Sequence, residues 1–150
     1  MKIYERLKDD HNYQRELGEK IVDTQGDTSE RHALWTEYKT ELESHAMAEE
    51  QVFYSDMMSE DDLTKKARHS VAEHKELSDM IREIDDMDMS SPGWLMKFKQ
   101  LKDCVEHHVA EEEKEVFPET RKEFSEAQEK QMCREFETKK RAALDDLAAA

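Results

Sequence analysis

Displacing the 150-residue sequence against itself by 63 positions lays His11 on His74, His45 on His108, Glu49 on Glu112 and Glu50 on Glu113. Ile21 falls on Ile84 and Asp23 on Asp86. The apolar positions follow, Trp35 on Phe98, Tyr38 on Leu101, Leu42 on Val105 and Tyr54 on Phe117. Self-similarity at a fixed offset marks a duplicated structural unit. Of the seven histidines, four obey the offset; His32, His69 and His107 have Leu95, Arg6 and Ser44 at the equivalent positions. The duplication therefore singles out His11, His45, His74 and His108.

Punctuation divides the first 118 residues into four long segments, one for each of these histidines. Thr24 to Ser29 closes the first, and Asp27 with Glu30 has capping-box spacing for the second. Met58 to Asp62 closes the second. Ser90-Ser91-Pro92-Gly93 closes the third and offers a Ser cap with Pro at the first helical position of the fourth, which Phe117-Pro118 ends. Only three Gly and two Pro interrupt the chain, so the segments read as helices. Short connections make this an all-α, up-down-up-down four-helix bundle built from a duplicated helical hairpin over residues 1–118. In residues 119–150, Phe124, Met132, Phe136 and Leu144 recur at helical spacing and predict a fifth amphipathic helix packed on the outside of the same domain.

Charge excludes some partners. Thirty-eight acidic against 23 basic residues give a net charge of −15, which repels phosphate backbones and anionic bilayers, so neither nucleic acid nor membrane is expected as a partner. No run approaches the roughly 20 apolar residues of a membrane span, and the first residues have no signal-peptide character. Two cysteines, Cys104 and Cys133, make no CxxC pair. Together these predict a soluble cytoplasmic protein without disulfides.

The four histidines are expected to face inward. Residues four apart lie about 40° round a helix and one turn along it, so His45 with Glu49, and His108 with Glu112, share a face. In the second segment Leu34, Tyr38, Leu42, Ala48 and Val52 run along that stripe, and in the third Ala67, Val71, Leu77 and Ile81 run with His74. His11 and His45 lie about equally far from their connecting turn, so on antiparallel helices they sit at one height, as do His74 and His108 by repetition. Four imidazoles and two carboxylates then share one buried layer. Burying ionised carboxylates without partners costs several kcal/mol, and a pair of metal ions removes that cost. The nitrogen and oxygen donor set suits iron or manganese.

The stretches His45-Ala-Met-Ala-Glu49-Glu50 and His108-Val-Ala-Glu-Glu112-Glu113, each following a helix with Asp10-His11 or Glu73-His74, resemble the HxxxEE motifs of the hemerythrin HHE cation-binding family. The resemblance covers residues 1 to about 118. It implies a four-helix bundle around an oxygen-bridged, non-haem di-iron centre, with His11, His45, His74 and His108 as terminal ligands and Glu49 and Glu112 as bridges. It also implies small-ligand chemistry: oxygen binding, sensing, handling of nitric oxide or peroxide, or iron supply. Oxygen-carrying members have a further histidine one turn before the third-helix ligand, where this chain has Ser70. His69, about 140° round the helix from His74, would substitute only through a local distortion. Reversible oxygen carriage is therefore less expected than redox or exchange chemistry.

Flanking residues keep two readings. Cys104 and Glu41 are extra ligands or helix-flank packing; Tyr4 and Tyr38 are core residues or donors to the site; Glu50 and Glu113 are solvated, or acceptors for ligand N–H groups. His107 is expected at the surface with Glu111, and His32 out of reach. The expected function is a di-iron protein that binds or reacts with O2, NO or peroxide as sensor, scavenger or iron donor, with a redox or iron-accepting protein as partner. Peroxide or nitric oxide turnover at the centre is the catalytic variant. The alternative is a metal-free helical interaction module with an acidic surface.

Overall fold

The computed structural model describes residues 1–149; Ala150, in the predicted extension, lies outside them. Four long helices form the bundle: α1 (Ile3–Val22), α2 (Ser29–Glu49), α4 (Thr64–Asp85) and α5 (Pro92–Glu111). Two short helices, α3 (Ser55–Met58) and α6 (Phe117–Glu123), extend α2 and α5, and α7 (Glu126–Ala149) follows. α1 packs on α2, α4 on α5, and α5 returns to α1, while α7 lies against α1 and α2. No described helix is long and apolar enough to cross a membrane.

The ends of the helices are set by local chemistry. Thr28, rather than Asp27, caps α2 by accepting from the Arg31 N–H at 3.2 Å. Asp27 instead pairs with His32 on the surface. Gly26 takes the left-handed conformation, φ 64°, that lets the preceding turn close. Ser91 caps α5 through the Gly93 N–H, with Pro92 at the first helical position as expected. The buried Arg31 guanidinium ties the two hairpin turns together by donating to Thr24 in one and to the Met89 carbonyl in the other.

Two departures from the sequence expectation matter for the site. Phe117-Pro118 does not end the fourth helix. Residues Glu112–Val116 widen to π geometry, so that the Phe117 N–H reaches the Glu112 carbonyl, five residues back. Pro118, with no N–H to pair, follows this widened turn, and the helix runs on to Glu123. The first repeat does the same at Glu50–Tyr54. On α7, Leu144 is 38% exposed, whereas Met132, Cys133, Phe136, Lys140 and Ala143 form the packed face.

The core consists of two apolar clusters with the histidine layer between them. Toward the hairpin turns, Trp35, Tyr38, Trp94 and Phe98 interlock, Trp94 stacked on Phe98 at 5.7 Å and Tyr38 edge-on to Phe98 at 5.2 Å. At the other end Tyr4, Phe53 and Phe117 are joined by Phe124 and by Met132 and Phe136 of α7. Phe98 has no exposed surface and touches three aromatic rings. Phe98→Ala is expected to destabilise the protein by about 3–5 kcal/mol in urea unfolding; a loss under about 1 kcal/mol would show that this cluster does not hold the bundle together.

Candidate metal centre

His11, His45, His74 and His108, one from each long helix, lie in a single layer, and all four are buried. Glu49 and Glu112 sit between them with 0% and 1% exposure. His11 Nε2 is 3.3 Å from Glu112 Oε1, His74 Nε2 is 3.1 Å from Glu49 Oε1, and the Nε2 atoms of His74 and His108 are 3.0 Å apart. The donor atoms fall into two groups that share Glu49. One is His11, His45, Glu49 and Glu112; the other is Glu49, His74 and His108. All six residues singled out by the repeat and the motif are thus brought together.

Each imidazole presents its other nitrogen, Nδ1, to a carboxylate on a neighbouring helix. His11 pairs with Glu113 at 2.7 Å, His45 with Asp10 at 2.7 Å, His74 with Glu50 at 3.0 Å and His108 with Glu73 at 2.9 Å. An ionised carboxylate only accepts, so each Nδ1 donates, and Nε2 is the nitrogen aimed at the centre. The pairs obey the same 63-residue offset as the histidines. Glu50 and Glu113 are therefore acceptors for ligand N–H groups, with Glu50 still partly open to solvent. Asp10 and Glu73 have the same role, which the sequence reading had not assigned; their coincidence under the offset was the available signal. The widened turns begin directly after Glu49 and Glu111, at the place where consecutive glutamates divide between the centre and a neighbouring imidazole. Such π turns recur at functional sites.

The flanking residues resolve as follows. His69 is 55% exposed and turns outward to Glu73 and Glu111, and His107 also meets Glu111 at the surface. Cys104 is exposed and free. Tyr4 and Tyr38 are core residues. Glu41 is buried but bonded to Gln14 and Lys140, outside the two donor groups. Buried Ser70 stands one turn before His74. Tyr54 adds a donor to the layer, its hydroxyl bonding to Glu112.

The carboxylates and imidazoles of the layer shift one another's protonation. Burial disfavours the imidazolium of His45, but Glu49 and Asp10 outweigh it and raise its pKa to about 10. His74 is raised to about 9 against the same penalty by Glu49 and Glu50, and His11 is raised by Glu112 and Glu113. Glu49 stays well below the usual carboxylate range despite burial because His45 and His74 face it. Burial and the neighbouring Glu49 push Glu112 upward.

Both carboxylate oxygens of Glu49, and Oε1 of Glu112, are buried with no hydrogen-bond donor. Native interiors rarely leave such oxygens orphaned, at about 1–3 kcal/mol or more each. Inward nitrogens beside orphaned carboxylate oxygens form a donor set that fits first-row transition ions. A cavity of about 400 Å³ adjoins the layer and is lined by all four histidines together with Leu42, Val71, Ile81, Val105 and Val109. It also meets the exposed residues Met47 and Lys75 between α2 and α4.

The sequence model of the hemerythrin HHE cation binding domain matches residues 2–120, and the chain belongs to that family. Curated relatives include uncharacterized proteins of Mycobacterium bovis (Mb2666c) and Mycobacterium tuberculosis (Rv2633c). Each is 25% identical over 118 residues, spanning 79% of this chain and 71% of the relative. The crystal structure of a hemerythrin HHE cation binding domain-containing protein, the Rv2633c homolog from Mycobacterium kansasii, superposes with a TM-score of 0.86 at 24% identity. It covers 97% of this chain and 89% of that one. The likeness of fold therefore runs on into α7, beyond the segment matched by the family.

The raised histidines set a pH dependence for the metal-free protein. A folded pKa above the unfolded value of 6.5 contributes stability that is complete below about 6.5 and is lost as pH rises through 9 for His74 and 10 for His45. Metal-free protein should therefore show a melting temperature that falls by several degrees between about pH 7 and pH 10, and the fall should shrink after metal loading, because ligating imidazoles are already neutral. An equal fall in both forms would contradict this proton balance.

Proposed function

We propose that the chain is a non-haem di-iron protein that binds or reacts with small oxygen or nitrogen species, O2, NO or peroxide, in sensing, scavenging or iron supply. The observation that carries this reading is the buried layer of four inward Nε2 atoms around orphaned carboxylate oxygens. His11 and His45 would hold one ion, His74 and His108 the other, and Glu49 and Glu112 would lie between the two. Manganese is the chemical competitor for the same donors.

Bound iron would supply reversible one-electron chemistry and positions open to a small ligand. The chain's own residues prepare for it. The four Nδ1–H···carboxylate bonds fix the tautomer and orientation of each ring, which raises the basicity of Nε2. The Tyr54 hydroxyl donates a hydrogen bond to Glu112 Oε2, and burial together with Glu112 and Glu49 keeps that phenol strongly protonated. The two aromatic clusters exclude water from above and below. The largely apolar wall of the 400 Å³ cavity favours small, weakly polar species over charged metabolites. Cytoplasmic residence suits the two unpaired thiols.

Iron-loaded protein is expected to hold about two iron ions per chain by elemental analysis, with near-ultraviolet charge-transfer absorption that changes on adding peroxide, oxygen or nitric oxide. His108→Ala should lower the content to about one, and chelation should lower the melting temperature. Less than about one iron per chain after loading, with no change in His108→Ala, would overturn the reading and favour a metal-free acidic interaction module.

A further inference from the structure

The 63-residue offset makes the histidine layer nearly two-fold symmetric, but the surroundings of its two halves differ. The difference comes from α7, which lies outside both the duplicated unit and the segment matched by the family. Lys140 enters from α7 and is buried. Its Nζ is 2.8 Å from Asp10 Oδ1 and 2.7 Å from Glu41 Oε1, and Gln14 covers the other Glu41 oxygen at 3.1 Å. Arg6 donates to the same Asp10 oxygen as Lys140. The remaining oxygen of Asp10, Oδ2, accepts the Nδ1–H of His45. A continuous chain of hydrogen bonds thus runs from α7 through Asp10 of α1 to His45 of α2.

Asp10, Glu41 and His45 bring ligand atoms within 4.8 Å of one another, a spacing that could itself take a metal ion. The Lys140 ammonium bonds two of the three. A fixed side-chain cation therefore stands in for an ion at this place and leaves Asp10 free to serve His45. In the other half, no lysine or arginine among the described residues pairs with Glu50 or Glu73. Glu73, which serves His108, has its second oxygen 3.4 Å from the exposed His69, and the counterpart of Glu41 is the exposed Cys104. A cavity of about 230 Å³ bounded by Glu73, Cys104, His107 and His108 opens this half toward the surface, as one of about 280 Å³ bounded by His11, Arg15 and Glu106 opens the other, so the halves differ in the buried ammonium rather than in access. The donor groups differ in the same sense: His11 and His45 converge with both Glu49 and Glu112, whereas His74 and His108 converge with Glu49, and Glu112 lies 3.8 Å from His108 Nε2.

We infer that Lys140 is a positioning residue of the metal centre: through Asp10 it locks His45, so that the ion held by His11 and His45 is retained and the ion held by His74 and His108 is the exchangeable one. This rests on the di-iron reading above. Two cations on one oxygen of Asp10 prevent the carboxylate from turning away from His45. Losing Lys140 would leave Asp10 and Glu41 as adjacent buried carboxylates that repel each other, and the anchor of His45 would shift.

The test is release of iron from the reduced, iron-loaded full chain to a ferrous chelator, followed by absorbance without oxygen. Wild-type protein should release its iron in two phases of equal amplitude. Lys140→Met, which keeps the unbranched apolar stem and removes the ammonium, should speed the slow phase by about 10-fold or more and leave the fast phase within about twofold. Asp10→Asn should act on the same phase and serves if Lys140→Met does not fold; Glu73→Gln should speed only the fast phase. Single-phase release of both ions from wild-type protein would overturn the inference while leaving the di-iron reading intact. So would unchanged phases in Lys140→Met and Asp10→Asn, or equal acceleration of both phases together with a lower melting temperature of the metal-free protein, which is the mark of a structural role alone. Failure of wild-type protein to take up iron would remove the di-iron reading itself, and the inference with it.

Discussion

The Nδ1–H of each inward histidine is donated to a carboxylate on another helix of the bundle: His11 to Glu113, His45 to Asp10, His74 to Glu50 and His108 to Glu73. Around the bundle these bonds link α1 to the widened turn after α5, α2 to α1, α4 to the widened turn after α2, and α5 to α4. They form a closed ring that sets the rotation of every helix about its axis. A helix that turned by one residue, about 100°, would break two bonds of the ring and move a charge into an apolar cluster. The ring also decides which nitrogen faces the centre, so the fold and the donor set have one cause.

A layer of this kind is costly to bury in isolation. Glu49 and Glu112 lie between aromatic clusters where water cannot reach them, and their orphaned oxygens need protons or cations nearby. Without metal, the facing carboxylates raise the pKa values of His11, His45 and His74 against burial and so favour imidazolium in that role. Metal ions would take over the same positive charge at the same place. The acidic surplus of the chain as a whole therefore says little about its interior, where buried carboxylates face imidazoles and the Lys140 ammonium.

Much of this was legible in the sequence because duplication repeats the signal. A single inward histidine is ambiguous, whereas four at one offset, two with a glutamate one turn on, give the bundle, the layer and the six residues together. Asp10 and Glu73 were legible by the same offset but lie where a charged residue before a histidine ordinarily faces solvent. The widened turns at Glu50–Tyr54 and Glu112–Val116 were not legible, since π geometry has no propensity signature and Pro118 reads as a stop. Lys140 was invisible for a different reason. It lies outside the repeat, and in a chain in which 41% of residues are charged one more lysine on a helix reads as surface; only the packing of α7 against α1 and α2 makes it a buried cation. The expectation for Leu144 failed likewise, because the face of α7 that packs runs through Met132, Cys133, Phe136, Lys140 and Ala143 and leaves Leu144 to one side.

The bundle thus combines a symmetric centre, inherited from the repeat, with an asymmetric environment supplied by one added helix. Anomalous diffraction from crystals of the iron-loaded protein tests the central claim most directly. It should show a pair of iron peaks inside the bundle, one against Nε2 of His11 and His45 and one against Nε2 of His74 and His108, with Glu49 and Glu112 between them. Iron found only at the surface cluster of His69, Glu73 and Glu111, or an interior without anomalous signal, would contradict it.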